Sequence, residues 1–180
     1  PRLTGAETAF RQKATVLLIG PGLGYLAQSS ARAAETQTLV KKLLTGFSGS
    51  AVLDADGLNA AASLMNGGEE LPCPAKELIL TPHPGEMSRL TGLSVEAVQA
   101  DREGIARRYA AQWNAVVVLK GARTVVAGPD GRACINPTGN PGLARGGSGD
   151  VLAGMTSALL ACGLSACEAV SYTHLRAHET

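Results

Sequence analysis

The chain has 180 residues, long enough for one domain or most of one. Hydrophobic residues make up 45% and aromatics only 3%, which excludes a disordered chain and predicts a core of Ala, Val, Leu and Ile. Net charge is +1 with both signs interspersed, so nothing points to a nucleic-acid surface, and no apolar run reaches membrane-spanning length. Cys73, Cys134, Cys162 and Cys167 form no Cys-x-x-Cys pair and read as reduced thiols of a cytoplasmic protein.

Thr15-Val-Leu-Leu-Ile-Gly20 predicts a buried strand, closed by Pro-Gly. Gly20-Pro-Gly-Leu-Gly24 comes next, then a helical stretch from about Leu26 to Phe47. Ser50–Asp54 is a second strand, leading into Ala55-Asp-Gly-Leu-Asn59 and an Ala-rich helix. Glu77–Thr81 is a third, ending at Pro82-His-Pro-Gly-Glu86. Residues 94–113 read as one charged amphipathic helix capped by Ser94. Ala115–Leu119 is the fourth strand, ending in Lys120-Gly121, and Pro129-Asp-Gly131 marks a hairpin between Arg123–Ala127 and Arg132–Ile135.

Strands alternating with helices predict a mostly parallel sheet, and ligands of such sheets bind beyond the carboxyl ends of the strands. Each special motif comes directly after a strand, so Gly20–Gly24, Asp54–Asn59, Thr81–Glu86 and Lys120–Thr124 should converge on one edge. The glycine-rich run through Gly146-Gly-Ser-Gly-Asp150 leads into the apolar helix Val151–Leu160. Amides of Gly146, Gly147, Ser148 and Gly149 at a helix start suit a phosphate, and Asp150 is placed to take a proton from an attacking hydroxyl. An acid stands where the common phosphate loop has its lysine, so this is a different anion site. Gly20–Gly24 has no third glycine at the spacing of a dinucleotide fingerprint and lacks its later acid.

Other residues carry two readings. Asp54 and Asp56 bind magnesium or cap the next helix, with capping slightly favoured. Lys120 neutralises phosphate or starts the hairpin. His83, held between two prolines, suits ligand contact better than a core position. His174 and His178 have the spacing of a metal pair but fall in a C-terminal segment that does not belong to the domain.

Together the motifs resemble the NAD(P)H-hydrate dehydratase family, ribokinase-like repair enzymes with ADP or ATP as cosubstrate. The matching pieces are Gly20–Gly24, Leu53–Asn59, Thr81–Glu86, Leu119–Thr124, and Gly139-Asn-Pro-Gly through Gly146–Asp150, in the family's order. The resemblance implies an α/β ribokinase-like fold, a mostly parallel central sheet with helices on both faces, present as an incomplete domain over residues 1–169. It implies that Lys120, Gly121, Ala122, Arg123 and Thr124, with Gly149, contact the adenine nucleotide. Gly22 or Gly24, His83 and Asp150 would contact hydrated NADH or NADPH, with Asp150 as the base. The Lys-Gly-Ala-x-Thr form points to ADP, and Mg²⁺ would accompany the nucleotide, with its ligands unassigned. The resemblance also implies a homotetramer in the intact protein, while the composition above predicts a cytoplasmic location and no nucleic-acid or membrane partner.

Residues 170–180 depart from the family and look like a translated sequencing adapter, to be left out of fold reasoning. The rival reading is a ribokinase-like kinase of a vitamin precursor; relatives of that kind tend to carry Asn where His83 stands. A different class of answer is an inactive nucleotide-binding fragment.

Overall fold

The structure, a computed structural model, describes residues 13–25, 29–74, 76–136 and 147–176, with side chains as far as residue 173. Gly146 and His178 lie outside the described residues. The strands Val16–Ile19 (β1), Ser50–Leu53 (β2), Leu78–Leu80 (β3) and Val116–Leu119 (β4) pair in parallel. Val125–Ala127 (β5) and Ala133–Ile135 (β6) extend the sheet antiparallel. Among the described residues these form one six-stranded sheet in the order β1-β2-β3-β4-β5-β6. Every residue of β2, β3 and β4 is buried, which is why their sequences are unbroken apolar runs.

Alternate strand residues feed two separate cores. Leu17, Ile19, Leu53, Leu80 and Leu119 face one side. There they meet Ser30–Leu44 (α1), Ala55–Asn66 (α2), Pro84–Thr91 (α3), Val95–Ala100 (α4) and Arg102–Trp113 (α5). Val52, Ile79, Val116, Val118 and Val126 face the other side, under Ser148–Ala161 (α6) and Ala166–Arg176 (α7). The expected mostly parallel sheet, covered on both faces, is the observed architecture.

Two boundaries differ from the sequence reading. The single helix predicted over 94–113 is broken at Asp101, whose backbone leaves the helical region at φ −137° and ψ 65°. Its carboxylate accepts from the Gly104 N–H (2.9 Å), so Asp101 caps a new helix. Ser94 caps α4 as expected, accepting from the Ala97 N–H (3.1 Å). The helix predicted from about Leu26 to Phe47 is observed over Ser30–Leu44. The hairpin forms at the predicted turn, with Gly131 at φ +79°. Helix α7 runs unbroken across Ala169–Val170, and Val170 and Thr173 are buried.

At the carboxyl ends of the parallel strands the backbone ladder continues past the last paired residues. The Asp54 N–H donates to the Ile19 carbonyl (3.1 Å), the Thr81 N–H to Leu53 (3.1 Å) and the Lys120 N–H to Pro82 (2.8 Å). Four motifs far apart in sequence are thereby stitched side by side. Gly20 allows the first of these junctions: at its φ of +134°, an added Cβ would stand 1.7 Å from the Asp54 carbonyl oxygen. No helix among the described residues is long and apolar enough to cross a membrane.

Candidate functional site

Asp54 is the centre of the strand-end edge. It occupies the N-cap position of α2, yet its side chain makes no capping hydrogen bond, against the favoured sequence reading. Its Oδ1 accepts from the Lys120 ammonium (2.7 Å) and from the Thr81 hydroxyl (2.7 Å), and Asp54 is only 1% exposed. Burial explains the change of role, because a carboxylate taken out of water needs a cation more than a helix needs one cap. Lys120 also lies 3.8 Å from Glu86 Oε2. Its charge is therefore shared between two buried carboxylates.

Asp56, in the first turn of α2, accepts from the Tyr25 N–H (2.8 Å) and the Asn59 side-chain amide (3.0 Å). Arg89 of α3 donates to Asn59 Oδ1 (3.0 Å). This chain of bonds ties the Gly20–Gly24 turn to α2 and α3. Gly22 and Gly24 are exposed at φ +75° and +64°, with open space where a side chain would stand.

His83 is the N-cap of α3 and closes a full capping box with Glu86. Its Nδ1 accepts from the Gly85 N–H (3.0 Å) and the Glu86 N–H (3.2 Å), while Glu86 Oε2 accepts from the His83 N–H (2.8 Å). With Nδ1 used as an acceptor, the neutral ring carries its proton on Nε2, 3.3 Å from Glu86 Oε1. The side chain remains half-exposed and open to a ligand. Burial, then the charges of Lys120 and Arg89, holds the His83 pKa below the ordinary histidine value, with Asp54 opposing. Burial pushes the Glu86 carboxyl up, against the His83 N–H and Lys120.

This geometry makes stability depend on pH. Protonating Nδ1 would remove both bonds it accepts, so folding favours the neutral ring. The contribution is complete above the unfolded histidine value of about 6.5, and is lost as pH falls from there through the lower folded pKa. A proton NMR titration, with His83 assigned by loss of its signal in His83→Gln, should give a midpoint below about 6.5 and loss of α3 amide protection in the same window. A midpoint above that value would contradict the capping geometry.

Lys120, Gly121, Ala122, Arg123 and Thr124 leave the end of β4 as a tight loop. Gly121 has φ +142° and Arg123, a non-glycine, sits in the left-handed region at φ +58°. Thr124 Oγ1 donates to the Gly121 carbonyl (3.1 Å) and closes the turn. Across from it stands the start of α6, whose N-cap is Gly147 at φ +91°, with no side-chain cap. A Cβ on Gly149 would lie 3.5 Å from Lys120 Nζ and 3.6 Å from Asp54 Oδ2, so the ion pair abuts the first turn of this helix. Asp150 stands in that same turn, exposed. The expected convergence therefore holds for Asp54, Lys120, the His83–Glu86 turn and Gly149 in the first turn of α6. Among the described residues, no group of three or more His, Cys, Asp or Glu side chains is placed to hold a metal ion.

A family model described as NAD(P)H-hydrate dehydratase matches residues 2–178. The chain belongs to the NAD(P)H-hydrate dehydratase family. It is similar to the bifunctional NAD(P)H-hydrate repair enzyme of Moorella thermoacetica, 51% identical over 151 residues, covering 83% of this chain and 26% of that relative. It is 43% identical over 166 residues to the ADP-dependent (S)-NAD(P)H-hydrate dehydratase of Neisseria meningitidis serogroup B, covering 92% of this chain and 54% of that one. The chain thus spans no more than about half the length of either relative. Among solved structures, the ADP/ATP-dependent NAD(P)H-hydrate dehydratase from Bacillus subtilis, co-crystallised with ATP/Mg²⁺, superposes with a TM-score of 0.74 at 39% identity. That match covers 88% of this chain and 53% of the Bacillus chain. A ribokinase-like superfamily protein from Enterococcus faecalis gives a TM-score of 0.72 at 28% identity, covering 94% of this chain and 57% of that one.

Within the Thr81–Glu86 motif the geometry gives roles to its two end residues, and it adds Arg89 and Arg102, which lie outside the motifs. Thr81 and Glu86 act on Asp54 and Lys120, and Arg89 reaches Asn59. Arg102, on α5, donates to the carbonyls of Leu119 (2.9 Å) and Lys120 (3.2 Å). The sequence reading hid it, since Arg102 fell in the middle of the helix expected over 94–113, whereas the observed helix begins there.

Proposed function

We propose that this chain carries the site of a nucleotide-dependent NAD(P)H-hydrate dehydratase, using ADP as the phosphoryl donor. The observation that supports it most is the stitched strand edge, with Lys120 and Asp54 against the first turn of α6. In this reading Lys120 to Thr124 and Gly149 hold the adenine nucleotide, and the amides of Gly147, Ser148 and Gly149 face its phosphates. Gly22 or Gly24 and His83 receive the hydrated nicotinamide, His83 as an Nε2–H donor. All of these residues lie within residues 1–169.

Asp150 accepts the proton of the ring hydroxyl as its oxygen attacks the terminal phosphoryl group. That bond forms as the bond to the leaving nucleotide breaks, and ADP departs as AMP. The ring nitrogen's lone pair then expels phosphate from the phosphorylated carbon. Loss of a proton from the neighbouring carbon restores NADH or NADPH. Helix amides stabilise the charge in transit.

Mg²⁺, where bound, neutralises phosphate charge. An ion held jointly with phosphate oxygens would find its protein donor in Asp54 Oδ2, which faces Gly149, since Oδ1 accepts from Lys120 and Thr81. The same reading makes the protein a cytoplasmic enzyme and the intact form a homotetramer. Its partners are small molecules, without nucleic acid or membrane.

The deciding assay incubates the protein with hydrated NADH, Mg²⁺ and either ADP or ATP, and monitors the return of NADH absorbance. Recovery with ADP is the expected result. No recovery with either nucleotide, from folded protein, would shift the reading to a vitamin-precursor kinase and remove the role given to His83.

A further inference from the structure

We propose that Arg102 is a positioning residue that holds the Lys120–Thr124 segment in its nucleotide-binding shape, an assignment that rests on the proposed nucleotide site. The guanidinium is half-buried beneath the turn at the end of β4. One nitrogen, Nη2, donates to both the Leu119 and Lys120 carbonyls (2.9 and 3.2 Å). The other, Nη1, donates to Gln99 Oε1 (2.9 Å), which fixes the plane of the group. Gly121 lies directly on that plane: a Cβ there would stand 3.0 Å from Nη1 and 3.1 Å from Nη2.

Both backbone polar groups of Lys120 are thereby held, its N–H by the Pro82 carbonyl and its carbonyl by Arg102. The turn beyond it, including the left-handed Arg123, has little freedom to drift. Holding such a conformation before ligand arrives spares the ligand the cost of ordering it.

Stability alone does not account for this arginine. It stands at the positive end of a helix dipole. Its Nε is buried and has no hydrogen-bond partner among the described residues. Burial also pulls its pKa down from the ordinary guanidinium value. Three unfavourable features are tolerated at one residue, which is the pattern of a group kept for what it positions. A lysine has no planar fork and cannot reach two carbonyls and Gln99 together.

The test measures ADP affinity by calorimetry in the wild type, Arg102→Lys and Arg102→Met, with affinity for hydrated NADH and far-UV circular dichroism on each. Folded Arg102→Lys should bind ADP roughly tenfold to a hundredfold more weakly, the loss expected for one or two charge-assisted bonds, with hydrated NADH unaffected. Faster amide exchange at residues 121–124 should accompany it. Wild-type ADP affinity in Arg102→Lys, or equal losses for both ligands, would overturn the assignment, as would failure of both variants to fold. If the wild type itself binds no ADP, the nucleotide reading fails and takes this assignment with it.

Discussion

Asp150→Asn is expected to lower turnover roughly a hundredfold to ten-thousandfold, the range for removing a general base, while ADP affinity changes little. The substitution keeps the size and shape of the side chain. It removes the negative charge and the capacity to accept the hydroxyl proton. Asp150 stands in the first turn of α6, exposed, with no partner among the described residues engaging its carboxylate. It is therefore free to act on a ligand, whereas Asp54 Oδ1 already accepts from Lys120 and Thr81.

Helix α6 loses one favourable dipole interaction in this variant, worth about 0.3–1 kcal/mol, so only a small fall in Tm is expected. The large activity loss must then come from chemistry. Single-turnover kinetics with hydrated NADH and ADP separates the two: the chemical step should slow while the KM values stay within a few-fold. Near wild-type turnover would end the assignment of Asp150 as the base. A loss confined to ADP affinity would move Asp150 to the nucleotide side of the site.

The strands and the hairpin were legible because each rests on local pattern. β2, β3 and β4 are short apolar runs ended by turn residues, and Pro129-Asp-Gly131 can do little but turn. The break at Asp101 was legible in principle, since an acid three residues before Gly104 is a cap signal. The strong polar face across 94–113 masked it. His83 escaped as a cap because the usual capping residues are Ser, Thr, Asp and Asn, although Pro84 and Glu86 supplied the rest of the pattern.

Asp54 shows the limit of local reading. Its position before a helix suggests a cap, but its partner Lys120 lies 66 residues away in the chain. Only the order β2-β3-β4 brings their strand ends within reach. Arg102 was hidden for the same reason, its carbonyl partners lying 17 and 18 residues on.

Asp54→Leu is expected to destabilise the fold by about 3 kcal/mol, a fall in Tm of roughly 6–12 °C for a chain of this size. The loss arises mainly from the groups left without a partner. Lys120, whose side chain is 21% exposed, keeps its charge but loses its 2.7 Å partner, and the Thr81 hydroxyl is left without its carboxylate. Glu86, 3.8 Å from the ammonium, offsets part of this, which places the expected value at the lower end of the range for broken buried pairs. The double variant Asp54→Leu/Lys120→Met should recover most of the stability, because apolar groups of similar volume need no partner there. Denaturant titration of the wild type, both single variants and the double completes the cycle. A double variant as unstable as the sum of the singles would mean that the two residues act independently, and that the ion pair is not what holds the strand ends together.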